Sequence, residues 1–107
     1  MTTAKFLFSD DTIVSFELSG HSDYAKEGSH IVCSAVSSAV YMAANTIIEI
    51  MKISPETVVR DGYLKVQMKP EDARKSKVIT DGLYLHLSEL QNQYPNNLKL
   101  ERGVFDA

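Results

Sequence analysis

Residues 31–48, IVCSAVSSAVYMAANTII, carry no charged side chain from one end to the other. Val32, Val36, Ala39, Val40, Ala43, Ile47 and, just beyond, Met51 recur every three or four positions, which is helical spacing. A helix apolar nearly all round has to be covered on several sides, by sheet or by a partner subunit. The run is also long enough to cross a bilayer, but its three serines, Asn45 and its alanine content argue against a span. It reads as the central helix of a globular core.

Strand signals surround it. AKFLF and IVSFEL are rich in aromatic and β-branched residues and flank the turn cluster SDDT, the pattern of a β-hairpin. Val14, Phe16 and Leu18 share one face of the second strand and alternate with Ser15 and Glu17. ETVVRDGYLKVQM is a second hairpin, with Asp61-Gly62 suited to a type I′ turn. Pro70 then opens a second helix with Glu71 and Asp72 in its first turn and an apolar stripe of Ile79, Leu83, Leu87, Leu90 and Tyr94, closed by Pro95. NNLKLERGVF supplies a last strand. The order is ββαββαβ, and the class is α+β, a mixed α/β sandwich. Met42, Met51 and Met68 fall at positions expected to face the core.

The chain's 107 residues suit a single domain over residues 1–107. A net charge of −3 with interspersed signs provides no basic footprint for a phosphate backbone, so nucleic acid is not an expected partner. MTTAKFLFSDD lacks the basic and apolar regions of a secretory signal, and one cysteine cannot form an internal disulfide. Both features point to the cytoplasm, with Cys33 a free thiol. One cysteine and widely spaced histidines do not make a zinc pattern, and nothing else calls for a metal or cofactor.

The chemistry-bearing residues gather in SGHSDYAKEGSHIVCSAVSSAV, residues 19–40. Cys33 is expected within the first turn of the central helix, where unpartnered N–H groups and the helix dipole favour a thiolate and could receive an oxyanion. His21 follows Gly20 at the end of the second strand, and a loop folded back from it would bring imidazole to thiol, a nucleophile and base in outline. A buried cysteine is also a common small hydrophobe, and a strand-end histidine is commonly just solvent-facing. Ser29 is a candidate N-cap, Ser37 lies one turn beyond Cys33 on its face, and His30 could be a second base, a helix-start residue or a surface residue. His86 lies off the apolar stripe.

Gly20-His21, Gly28 and IVCSAVS (residues 31–37) resemble the signature of the ribosomal-processing cysteine proteases, the Prp family. Length and element order are similar across nearly the whole chain. The resemblance implies a cytosolic bacterial homodimer with two helices packed between antiparallel β-sheets. It implies a substrate, the large-subunit ribosomal protein L-twenty-seven, whose short N-terminal extension is removed. It also implies roles: Cys33 as nucleophile, His21 as general base, Gly20 giving freedom beside the base, and Ser37 supporting the thiol. Two positions depart from the pattern. His30 stands where the family usually has an aspartate, three residues before the cysteine, and Ser34 where alanine is common. The loop SDYAKEGS, residues 22–29, reads either as a substrate-gated lid or as an ordinary surface connection. With the aspartate gone, a second function stays open: a non-catalytic ribosome-assembly binding protein that keeps the protease fold.

Overall fold

Alternating apolar residues at both ends of the chain have to bury one face each, and in the computed structural model they do so in a single sheet. The structure describes residues 1–20 and 29–106. The elements are β1 (Thr2–Ser9), β2 (Thr12–Ser19), α1 (Ser29–Asn45) with a π-helical extension (Thr46–Ile50), β3 (Glu56–Arg60), β4 (Tyr63–Gln67), α2 (Pro70–Lys75), α3 (Lys77–Gln93) and β5 (Leu98–Val104). The α+β class is the one expected, and the order departs from ββαββαβ in that the second helix is divided into α2 and α3. The layering differs from the two flanking sheets implied by the resemblance: the described strands form one five-stranded sheet ordered β3-β4-β2-β1-β5. Its β1–β5 pair is parallel, because the chain returns through α2 and α3 before adding β5 beside β1.

One face of this sheet carries the core. Ala4 pairs with Leu18, Phe6 with Phe16, and these with Leu64 and Val66 on β4, so all six share a face. Val32, Val36, Val40, Ala43 and Ile47 of the central helix, and Leu83 and Leu87 of α3, pack against them, nearly every one fully buried. The uncharged run is therefore a core helix, although the segment Ile31–Ile50 is long and apolar enough to cross a membrane. Tyr84 of α3 sets its ring edge-on to Phe6 and Phe8, with centroids 5.0 and 5.6 Å apart. The other face holds a cross-strand row, Lys65, Glu17, Lys5 and Glu101, that alternates in sign along four strands. On the same face the Tyr63 hydroxyl donates to Glu17 Oε2 at 2.7 Å, and that carboxylate acceptor holds the phenol's pKa above its usual value.

Four local expectations change. The register between β1 and β2 slips after Leu7, so Phe8 faces Ile13 and Val14 is the extra residue of a β-bulge. Ile13 and Val14 are both fully buried in consequence, and Ser15 is buried as well rather than solvent-facing. The turn at Asp61-Gly62 has positive φ only at Gly62 (φ 73°), whereas a type I′ turn needs it at both central residues. The second helix breaks at Ser76, whose φ −92° and ψ 3° leave the helical region. The buried side chains nonetheless run on through Ala73, Ser76, Thr80, Leu83 and Leu87 at unbroken helical spacing, so periodicity alone could not reveal the break. Met68 is buried and Met51 half-buried, but Met42 is 54% exposed, since α1 turns that side away from the sheet.

Two positive-φ positions bound the central helix segment. Lys52 (φ 60°) sits where a left-handed residue ends the helix, and Ile53 N–H reaches back to Ile47 C=O at 3.1 Å in the manner of a glycine cap. At the other end, Gly20 (φ 78°) precedes the loop into α1, and a Cβ there would lie 2.5 Å from the Met1 carbonyl oxygen. Lys52→Gly is expected to be neutral or to raise stability by about 1 kcal/mol. Gly20→Ala is expected to lower it by about 1–3 kcal/mol, because strain and clash act together. Urea titrations of the two variants check both signs.

Candidate functional site

Ser29 opens α1, so Cys33 is the fifth helical residue. The amides without intrahelical partners precede it, which corrects the expectation that Cys33 lies within the first turn. Its side chain still leans back over that turn, because Cα–Cβ bonds tilt toward the helix N-terminus. Cys33 is free and half-buried, placed between inertness and full exposure. Ser37, one turn on and also half-buried, shares its flank. His30 is placed by the backbone alone, on the opening turn. His21, Gly28 and the loop 22–29 apart from Ser29 lie outside the described residues.

Helical geometry separates two flanks of α1. The buried stripe Val32, Val36, Val40, Ala43 and Ile47 faces the sheet. On one side of it, Ala35, Ser38, Ala39 and Met42 line a groove of ≈ 570 Å³ against Ile79, Gly82, Leu83 and His86 of α3. Cys33 and Ser37 border the stripe on the other side; at 100° per residue Cys33 lies about half a turn round the helix from Ala35. The α1–α3 groove is thus not the surface that the thiol faces. Sequence reasoning assigned His86 no role, and the structure exposes it on that groove.

The thiol's flank looks instead toward the β3 side of the sheet. Ile48, on the same side of the helical segment, lines a depression together with Lys52, Ile53, Ser54, Pro55 and Thr57. β3 runs back antiparallel to α1 and ends near Gly20, whose N–H donates to the Gly62 carbonyl at 3.1 Å. That bond ties down the end of β2, from which the chain proceeds to His21, and the Met1 carbonyl occupies the space that a side chain at Gly20 would need. Gly20 therefore has a steric role that its place beside a histidine did not reveal. Val59, on the helical side of β3, is 60% exposed, so an apolar shelf extends past the helix on the Cys33 side.

Comparison with known proteins identifies the family and the fold. The chain is 27% identical over 101 residues to the ribosomal processing cysteine protease Prp of Bacillus subtilis (strain 168), covering 89% of this chain and 90% of that one. Its fold is similar to that of the essential ribosomal processing protease Prp from S. aureus in complex with a substrate peptide, with TM-score 0.85, 19% identity, and coverage of 95% of this chain and 99% of that chain. The same S. aureus protease with a covalently linked product peptide matches with TM-score 0.81, 20% identity and coverage of 95% and 99%. Residues 1–99 match the family described as cysteine protease Prp. With a free thiol on the second turn of its central helix and that match over nearly its whole length, the chain belongs to the Prp family of cysteine proteases.

Proposed function

We propose that this protein is a cytoplasmic endopeptidase that removes the short N-terminal extension of the large-subunit ribosomal protein L-twenty-seven, with Cys33 as nucleophile and His21 as general base. The observation that carries the reading is the placement of Cys33: the chain's one thiol, half-buried on the α1 flank that faces the β3 shelf, within the segment matched to the protease family. A ribosomal substrate is supported by the name of the B. subtilis relative. A covalent route is supported by the product peptide linked to S. aureus Prp.

In this chemistry the Cys33 sulfur attacks the scissile carbonyl carbon while His21 takes the thiol proton. The tetrahedral intermediate collapses to a thioester, and His21 returns its proton to the leaving amine. Water activated by the same imidazole then releases the acyl product and restores the thiol. Free amides of the first helical turn, toward which the Cys33 side chain leans, are suited to hold the oxyanion. Gly20 fixes the strand end that precedes the base, and Ser37 supports the thiol from one turn away. The homodimer belongs to the same reading.

Cys33→Ala and His21→Ala are each expected to abolish cleavage of a peptide spanning the processing site, followed by mass spectrometry. Melting should change little, because Cys33 is half-buried and its truncation costs about 1 kcal/mol or less. A Cys33→Ala protein that cleaves normally but melts far earlier would make the thiol a packing residue.

His30 tests the competing idea of a binding protein that has lost catalysis. A carboxylate at a helix start is favoured by the dipole by about 0.3–1 kcal/mol and would stabilise an imidazolium at His21. His30→Asp is therefore expected to raise the single-turnover cleavage rate several-fold. Equal rates across pH would make position 30 a surface residue. Cleavage by neither protein would favour the binding role.

A further inference from the structure

Among the described residues, β3 is an edge strand without the usual protection. All five of its residues are exposed, with Val58 at 41% and Val59 at 60%, and it has no bulge or internal lysine or proline. The opposite edge, β5, carries Lys99, Glu101 and Arg102 along its length. On β3 the charges sit only at the ends, Glu56 and Arg60, around a Thr57-Val58-Val59 centre.

The hydrogen-bonding direction of each β3 residue follows from its neighbours. Gly62 C=O accepts from Gly20, and Met68 N–H donates to Val14 C=O, so the even-numbered positions of the β4 strand turn toward β2. By alternation Tyr63, Lys65 and Gln67 turn toward β3, where their partners are Arg60, Val58 and Glu56. Thr57 and Val59 then present their N–H and C=O groups outward, along the free edge.

We propose that β3 pairs antiparallel with β3 of a second copy, about a two-fold axis at Val58. In this register Thr57 lies opposite the partner's Val59 and Val59 opposite the partner's Thr57, so outward-facing groups meet outward-facing groups. Val58 meets its own counterpart in the closer, non-hydrogen-bonded kind of pair. Glu56 meets Arg60 of the partner subunit at one end, and Arg60 meets the partner's Glu56 at the other, all on the polar face of the sheet. A shift by one residue would oppose outward groups to inward ones, and a parallel arrangement would stack Glu56 on Glu56. ETVVR is thus complementary to itself in one orientation and one register, which selects a second copy over an unrelated strand.

The pairing joins the two sheets edge to edge. Thr57 and Val59 share the helical side with Val66 and Leu64, so the joined strand prolongs the shelf beside the Cys33 flank of α1. Each copy would widen the floor next to its partner's thiol. The inference supplies the surface of the homodimer proposed above and rests on that part of the reading, independent of the cleavage chemistry.

The test is sedimentation velocity over a concentration series on four full-length proteins: wild type, Glu56→Arg, Arg60→Glu and the double swap, with melting curves to show that each folds. Wild type is expected to dimerise. Each single swap places like charges together at both ends and is expected to weaken dimerisation about tenfold or more, and the double swap to restore it. Val58→Lys, which opposes two lysines on the axis, serves if a charge swap misfolds, and it too is expected to dissociate the dimer. A wild-type monomer throughout would overturn both the pairing and the homodimer. A dimer indifferent to all these substitutions would leave the homodimer standing on another surface and overturn the pairing. Dissociation by the single swaps without rescue by the double swap would overturn the register.

Discussion

The burial of α1 against the sheet is the contact on which the rest depends. Val32, Val36, Val40, Ala43 and Ile47 meet Phe6, Ile13, Phe16 and Val66 in one layer, and each of these side chains is almost wholly removed from water. At roughly 1.5–3 kcal/mol for each large apolar side chain, this layer is the main favourable term available to a chain of this size. It also fixes the rotation of the helix about its axis. With one stripe held down, each remaining position has its direction set: Ala35 and Met42 toward α3, Cys33 and Ser37 toward β3, Ser34 and Tyr41 toward solvent.

A thiol placed at the border of a buried stripe has two properties that catalysis needs. It is held by a rigid element, and it is only half-buried. The approach to it is shaped by constraints that have nothing to do with reactivity. Gly20 is required by a left-handed backbone and by the Met1 carbonyl, and its bond to Gly62 ties the end of β2 to the β3–β4 turn. The strand end leading to the histidine is thereby fixed to the strand pair whose exposed Val59 forms the shelf beside Cys33. Far from this site, Lys77 bridges the Asp11 carbonyl at 2.6 Å and the Asp81 carboxylate at 3.1 Å, pinning the start of α3 to the first hairpin turn. These exposed contacts orient the layers, while burial supplies the stability.

Much of the architecture was legible because it rests on local periodicity. Alternation in AKFLF and IVSFEL, the Asp61-Gly62 turn and the apolar spacing of residues 31–48 each report on which side of an element is buried, and each element formed where expected. The misses share another cause. The bulge at Val14 depends on how β1 and β2 align, and the exposure of Met42 depends on where α3 lies. The break at Ser76 leaves the buried spacing intact, so no pattern in the chain marks it. The pairing of Cys33 with a histidine was suggested by nearness in sequence and by resemblance, since a spacing of twelve residues cannot specify a contact.

The sequence by itself determined the order of the strands and helical regions and the central helix as the core element, because propensity, turn chemistry and periodicity act over a few residues. Only the tertiary structure decided that the strands form one mixed sheet with β3 at a free edge, that the wide α1–α3 groove lies on the flank away from the thiol, and that Gly20 is needed for space as well as for φ. Those features depend on which distant segments pack together, and close packing selects that arrangement through the whole chain at once.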